Sequence, residues 1–205
     1  MMKIDTHVHT EYSPDSETTI EEAIEAAKIA GLNGIAITDH NTVDGVKEAF
    51  DLVEEDDFLI IPGIEVSSKD GHILGLGIEE DIPSELSVEE TVARIREKEG
   101  IAISAHPFSL SSKPFSPLGS DFDAIESFNS KRYIGTSIAT RYAHINHLSQ
   151  TGGSDAHFPE EIGLAGIELD CKPLVREIIE KIREGKASIF GRFLPPTAYL
   201  RRALK

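Results

Sequence analysis

Asp5-Thr6-His7-Val8-His9-Thr10 closes the first apolar run of the chain, Lys3 to Val8. Read as a short strand, that run turns residues i and i+2 to one face, so His7 and His9 reach one object together while Val8 faces a core. Two imidazoles on one buried face need a reason, because protonated ones repel one another and neutral ones need partners. A pair of core histidines bonded to carbonyls is one reason and a bound cation is another. The rest of the chain decides between them.

Downstream, apolar runs alternate with helical patterns. Thr19 and Glu22 have the spacing of a capping box, Ile20, Ala23, Ile24 and Ala27 give the helix behind them an apolar face, and Gly31 stops it. Gly34 to Thr38 reads as a buried parallel strand, followed by a helix from about Val43 to Glu54. Strands are expected over Phe58 to Val66 and His72 to Ile78. Ser87 and Glu90 then open a helix that ends at Gly100. Further strands are expected at Ile101 to Ala105, Asp123 to Phe128, Gly152 to Ser154 and Leu164 to Leu169, with helices over roughly Ser137 to Ser149 and Pro173 to Glu184. This alternation predicts an α/β fold: a parallel sheet with helices outside it, either an open doubly wound sheet or a closed barrel.

The 205 residues, 40% of them hydrophobic, suit one domain, placed at 1–190 with a short basic tail over 191–205 packed on or beside it. The loop from Phe108 to Ser120 is expected to lie over a surface or a cleft. No run approaches a membrane span and Met1 to Asp5 lacks a secretory apolar region, so a soluble, cytoplasmic protein is expected. Cys171 is alone, which excludes an intramolecular disulfide and a thiolate zinc cluster. Any metal must therefore be held by nitrogen and oxygen. A net charge of -16 repels polyanions, so nucleic acid is not the first partner expected, although bound dications can make one pocket positive.

Six of the eight histidines fall where an expected strand begins or ends. His7 and His9 end the first, His40 follows the second, His72 opens the fourth, His106 follows the fifth and His157 closes Gly153-Ser154-Asp155-Ala156-His157. In parallel α/β folds the carboxyl ends of the strands share one side, so such residues converge. Divalent ions explain the convergence, and carboxylates stand in the same places: Glu65 at the end of the third strand, Asp155, and Asp15 after the first. Alternatives remain at each. Glu65 suits a buried carboxylate held by backbone donors, and Asp15 suits a turn acid in Ser13-Pro14-Asp15-Ser16. Asp39 reads as a residue orienting His40, and His144 and His147 as a surface pair on a helix.

Those residues lie in seven motifs in order: DTHVHTEYSPDS (5–16), AITDHNT (36–42), IPGIEVSS (61–68), GHILGLG (71–77), SAHPF (104–108), DAIESFNS (123–130) and GGSDAH (152–157). In them the chain resembles the PHP family, the polymerase and histidinol phosphatase domain, from Lys3 to about Ile167. The resemblance implies a distorted (β/α)7 barrel and a trinuclear centre of manganese, zinc or iron. One ion would be held by His7, His9, Glu65 and Asp155, a second by Glu65, His72 and His106, and a third by Asp15, His40 and His157. Catalysis would centre on Glu65, His7, His9, Asp155 and His157, with a metal-bridging hydroxide attacking a phosphate ester in line.

The implied substrate is a small phosphorylated metabolite or nucleotide, most simply a phosphomonoester. Lys131 or Arg132, after Phe128-Asn129-Ser130, would clamp its phosphate or carboxylate end unless they form a solvated basic loop. Nucleotide-hydrolysing relatives carry a helical insertion between the positions of His72 and His106, and here that interval holds little beyond the Ser87 to Gly100 helix. Such a site lacks a lid. Rival readings are an amidohydrolase-type enzyme acting on C–N or C–O bonds, an exonuclease-like enzyme working on nucleic-acid ends, and a non-catalytic metal-stabilised scaffold. A bridging Glu65 in place of a modified lysine argues against the first, and nine ligands around an open cleft argue against the last.

Overall fold

The computed structural model describes residues 1–53, 58–109 and 121–195. In chain order it contains β1 (Met2–Val8), α1 (Ile20–Ile29), β2 (Gly34–Ile37), α2 (Asp44–Leu52), β3 (Leu59–Ser67), β4 (His72–Leu76), α3 (Val88–Glu97), β5 (Ile101–Ser104), β6 (Ala124–Asn129), α4 (Tyr133–Asn146), β7 (Gln150–Gly153), β8 (Ala165–Leu169), α5 (Val175–Arg183) and β9 (Ser188–Gly191). Both capping boxes form: Thr19 and Ser87 accept from the backbone N–H groups of Glu22 and Glu90, whose carboxylates accept in return.

The strands make one sheet in the order β7-β6-β5-β4-β3-β2-β1-β8-β9. It curls into a nearly closed barrel because β1 divides its partners. Its first half, Met2 to Ile4, pairs antiparallel with β8. Its far end meets the segment after β7, where Val8 bridges Ala156, the His9 N–H donates to Ala156 O at 2.9 Å, and Thr6 Oγ1 donates to Gly152 O at 3.1 Å.

The sheet is mixed, which departs from the expected all-parallel arrangement. β1–β2–β3 and β5–β6–β7 are parallel runs, but β4 lies antiparallel between β3 and β5. The cause is the short Ser68–Gly71 turn, in which Ser68 N–H donates to Gly71 O and Ser68 Oγ to the same carbonyl; a connection that short returns the chain as a hairpin. β4 therefore begins at the rim where β1, β2, β3 and β5 end. His72, its first residue, joins the others there by starting a strand.

Inside the barrel Ile4, Ala36, Ile61, Leu74, Leu76, Ile101 and Ile103 pack as one cluster with Ile178, Ile179 and Ile182 of α5. Helix α5 lies across the floor: Arg183 donates to Gly100 O at 2.8 Å, and Ser149 Oγ donates to Arg183 O at 2.9 Å. The floor leaves the opposite rim to polar residues. A second cluster joins the outer strand faces to α1, α2 and α3 through residues such as Ile24, Val46 and Ile95.

The main departures from the expected elements are at α4 and β9. α4 starts four residues earlier than Ser137, because Gly135 packs against the turn at Pro107 and Phe108, where an added Cβ would lie 3.2 Å from Pro107 O. β9 was not foreseen; it is a four-residue edge strand, partly exposed, held by pairing with β8 and not by an apolar pattern of its own. Of the Phe108 to Ser120 loop, residues 110–120 lie outside the described residues, as do residues 196–205 of the expected basic tail. Among the described residues no helix is long and apolar enough to cross a membrane.

Candidate metal centre

All nine side chains singled out by their positions gather at the open rim. His7 and His9 aim their Nε2 atoms at one point, 3.1 Å from each other and 3.4 and 3.2 Å from Glu65 Oε2. His40 Nδ1 lies 3.2 Å from the same oxygen. The other carboxylate oxygen, Oε1, faces His72 Nδ1 at 3.0 Å and His106 Nε2 at 2.9 Å. Asp155 Oδ1 lies 3.8 Å from His9 Nε2. Asp15 completes the rim, with Oδ2 3.0 Å from His157 Nε2 and Oδ1 3.7 Å from His40 Nε2. His144 and His147 sit at the other end of α4, where His147 is the left-handed C-cap.

Groups around this cluster decide which imidazole nitrogen faces inward. His7 Nδ1 is 2.9 Å from Glu126 Oε1, so Nδ1 carries a proton and the neutral ring has its lone pair on the inward Nε2. His9 Nδ1 meets Ser13 Oγ at 2.9 Å, and that hydroxyl donates to Asp39 Oδ1 at 2.7 Å. His9 therefore donates to Ser13 and also presents Nε2. Asp39, expected to orient His40, instead accepts from Thr10 N–H at 2.6 Å and Thr10 Oγ1 at 2.7 Å, fixing the turn that aims His9. It is linked to the His40 backbone through Ser13, whose Oγ accepts from the His40 N–H at 3.1 Å.

Sequence reading missed Glu126, which also accepts from His106 N–H at 2.6 Å and Asn129 Nδ2 at 3.0 Å. Its signal was available: an acid inside the apolar run Ala124-Ile125-Glu126, of the kind that marked Glu65. Also missed were Glu161, buried and accepting from His157 N–H at 3.0 Å, and Asp5, which accepts from the N–H groups of His7, Ser154 and Gly163. The backbone contributes strain. Asp155 and His106 adopt φ of 56° and 27°, a left-handed region that costs a non-glycine residue about 1–3 kcal/mol and turns both side chains inward.

Lys131 and Arg132 turn towards the cluster. Lys131, with a side chain 9% exposed, places Nζ 2.8 Å from His157 Nδ1 and 3.5 Å from both Asp155 Oδ1 and Glu161 Oε2. Arg132 places Nη2 3.8 Å from Asp155 Oδ2.

Electrostatics keep the carboxylates ionised. Burial opposes the charge on Glu65, but His7, His72 and His106 outweigh it and hold its pKa well below the usual range. For Asp155 burial is likewise outweighed, by Lys131 and then His7 and His106. Hydrogen bonds from His157 and His40 lower Asp15. Burial pushes His9 down to about 3, so it is neutral, whereas Glu126 and Glu65 overcome burial and raise His7 well above its ordinary value. His40 is raised too, with Asp15 and Glu65 overcoming burial. Protons thus take the place that a cation would fill. Asp5 is pushed up to about 6 by burial, against its three backbone donors.

These residues fit divalent metal ions. Donors sharing an ion at about 2.1 Å stand roughly 3.0 to 3.4 Å apart, and the Nε2 atoms of His7 and His9 and Oε2 of Glu65 have those separations. His40 Nδ1 is buried without a hydrogen-bond partner although Glu65 Oε2 is near. Among the described residues, four overlapping triads have donor atoms close enough to share an ion: His7–His9–Asp155, His7–Glu65–His106, His40–Glu65–His72 and His9–His40–His157. Imidazole and carboxylate donors suit zinc, manganese and iron alike.

Comparison with known proteins points the same way. The family model described as the PHP domain matches residues 5–189. An uncharacterized protein of Methanocaldococcus jannaschii is 39% identical over 140 residues, covering 62% of this chain and 82% of the relative. A phosphoribosyl 1,2-cyclic phosphate 1,2-diphosphodiesterase of Eggerthella lenta is 40% identical over 86 residues, which are 39% of this chain and 32% of that one. The crystal structure of a two-domain protein of Bacteroides vulgatus, described as containing a predicted PHP-like metal-dependent phosphoesterase, superposes with a TM-score of 0.75 at 16% identity, over 93% of this chain and 65% of that chain. This last likeness is one of fold.

Proposed function

The chain belongs to the PHP domain family, and on that premise we propose that it is a metal-dependent hydrolase of phosphate esters, acting most simply on phosphomonoesters. The observation that carries the reading is the division of Glu65. Its Oε2 serves His7, His9 and His40 while its Oε1 serves His72 and His106, the arrangement of a carboxylate shared between ions. In this reading three divalent ions of manganese, zinc or iron are held: one by His7, His9, Glu65 and Asp155, one by Glu65, His72 and His106, one by Asp15, His40 and His157. Such ions lower the pKa of water towards neutrality and neutralise charge on phosphoryl oxygens.

The protein's own residues do the rest. Glu126 and Ser13 keep the Nδ1 protons of His7 and His9 away from the centre, so both rings act as neutral donors. Glu65, Asp155 and Asp15 supply negative charge that balances the ions. Lys131 and Arg132 face the rim at Asp155 and would hold non-bridging phosphoryl oxygens, Arg132 by its forked guanidinium. His157 and Lys131, 2.8 Å apart, stand where a proton can pass to a departing alkoxide. Between β4 and β5 the chain has α3 and the segment 77–87 before it, whose Glu85 and Leu86 are hydrogen-bonded to Ser67 and Lys69 at the β3–β4 turn, with no further helix in that interval.

The test is phosphate release by purified, manganese-supplemented protein across phosphomonoesters, mononucleotides and 3′,5′-bisphosphates, with cyclic phosphodiesters added because a relative bears such a name. Release abolished by chelator and restored by metal supports the reading. Metal-loaded protein that releases nothing from any ester would overturn it in favour of amide hydrolysis or a structural role.

A further inference from the structure

Three aromatic rings are piled beside this rim, and neither the core nor the metal ligands use the outermost. Phe128 of β6 stacks on Phe193 with centroids 4.9 Å apart and planes 26° apart, and Phe193 stacks on Tyr133, the first residue of α4, at 3.8 Å and 22°. The pile is fixed in place. Leu194 N–H donates to Ser130 O at 2.8 Å, which ties the segment after β9 to the end of β6. Gly191 lies flat on the Phe128 ring, since an added Cβ would come within 2.5 Å of it. That end of β6 is also the rim of the centre, where Asn129 Nδ2 lies 3.4 Å from Asp155 Oδ2.

Tyr133 is 64% exposed although it packs against Phe193. Isolated exposed aromatics are ordinary on protein surfaces. This one is different in being held rigid by two rings behind it and in following directly on Arg132, which reaches Asp155. Arg132 is the N-cap of α4 and Tyr133 its first residue, so both stand beside the end of β6 that carries the rim.

We infer that Tyr133, backed by Phe193 and Phe128, is a stacking surface for the base of a nucleoside phosphate whose phosphate lies at Lys131 and Arg132. The inference rests on the phosphoesterase reading and narrows its substrate. A free mononucleotide fits better than a polynucleotide, because a net charge of -16 opposes a long polyanion.

The test uses the full chain. With manganese present, kcat/KM is measured for adenosine and uridine monophosphates and for glycerol phosphate, and the nucleotide-to-glycerol ratio is compared between proteins. Base stacking on an aromatic residue predicts a fall in that ratio of roughly 5- to 150-fold in Tyr133→Ala, and little change in Tyr133→Phe. The chain has no Trp, so Tyr133→Trp is a single reporter whose fluorescence should be quenched saturably by adenosine monophosphate, with EDTA present to prevent hydrolysis, and not by glycerol phosphate. Nucleotide turnover with an unmoved ratio and no quenching would overturn the stacking surface. Quenching without hydrolysis of any ester would support the surface and sink the phosphoesterase reading instead. A ratio that falls only when the nucleotide is the end of an oligonucleotide would overturn the mononucleotide assignment.

Discussion

Glu126 Oε1 lies 2.9 Å from His7 Nδ1, so a carboxylate from the middle of β6 sets the proton on an imidazole of β1, over the intervening β7. Replacing Glu126 with Ala removes that acceptor, frees the His7 ring to turn, and strips His106 N–H and Asn129 of a partner. Outer partners of this kind are worth about 10- to 100-fold in metal affinity. Glu126→Ala should lose metal by that factor in a competition titration against a chromophoric chelator, and Glu126→Gln, whose amide oxygen still accepts from Nδ1–H, should lose less. Equal metal affinity in all three proteins would remove Glu126 from the centre.

Gly153 makes this contact sterically possible. A Cβ added there would lie 2.4 Å from His7 Cβ and 2.8 Å from Glu126 Oε1, and neither atom belongs to a flexible side-chain end that can withdraw without loss. Gly153→Ala should therefore push His7 and Glu126 apart. Overpacking of this kind costs about 1–3 kcal/mol, seen as a lower denaturation midpoint, and metal content after dialysis should fall with it. A variant with unchanged stability and unchanged metal content would show that β7 can move aside.

Glu65→Gln keeps the shape of the side chain and removes the charge that both sets of histidines share. Outer contacts cost up to about 100-fold, so an inner ligand should cost more. Metal content should drop by at least one ion per chain by elemental analysis, and ester hydrolysis should fall below about 1% of wild type. Wild-type phosphate release by Glu65→Gln would remove the bridging role.

Much of this centre was legible in the sequence because its ligands stand at strand ends, and a barrel brings strand ends together whatever the details of pairing. Strand direction was not legible. The pattern of β4 is that of a buried strand running either way, and only the tight Ser68–Gly71 turn makes it antiparallel, which carries His72 to the rim. Glu126 carries the signal that marked Glu65, an acid within an apolar strand, but no ligand motif follows it, and its role shows only with His7 Nδ1 beside it. Lys131 could be read as a solvated loop residue until Asp155, Glu161 and His157 were seen around it, three contacts at separations of 24, 30 and 26 residues. The Phe128–Phe193–Tyr133 pile depends on β9, a short edge strand whose own residues carry no strong pattern.

The raised pKa values of His7 and His40 set opposite pH trends for protein with and without metal. Without metal, a histidine whose pKa is raised on folding adds stability that is complete below the ordinary value of 6.5 and is lost as pH climbs through the folded value. Above that pH the lone pairs of His7 and His9, 3.1 Å apart, face each other with no proton between them. His9, lowered to about 3, acts in the other sense, but its contribution is complete by 6.5, as is that of the lowered Glu65 and Asp155 above the ordinary carboxylate range. Chelated protein should therefore be most stable near pH 6.5 and lose Tm as pH rises to about 8.5. A metal ion must displace the same protons, so its affinity and its stabilisation grow over that interval. The difference in Tm between manganese-loaded and EDTA-treated protein should widen steadily from about pH 6.5 to 8.5 in calorimetric scans. A constant difference across that range would mean that metal binds without releasing the His7 and His40 protons, and that the cation site lies elsewhere on the rim.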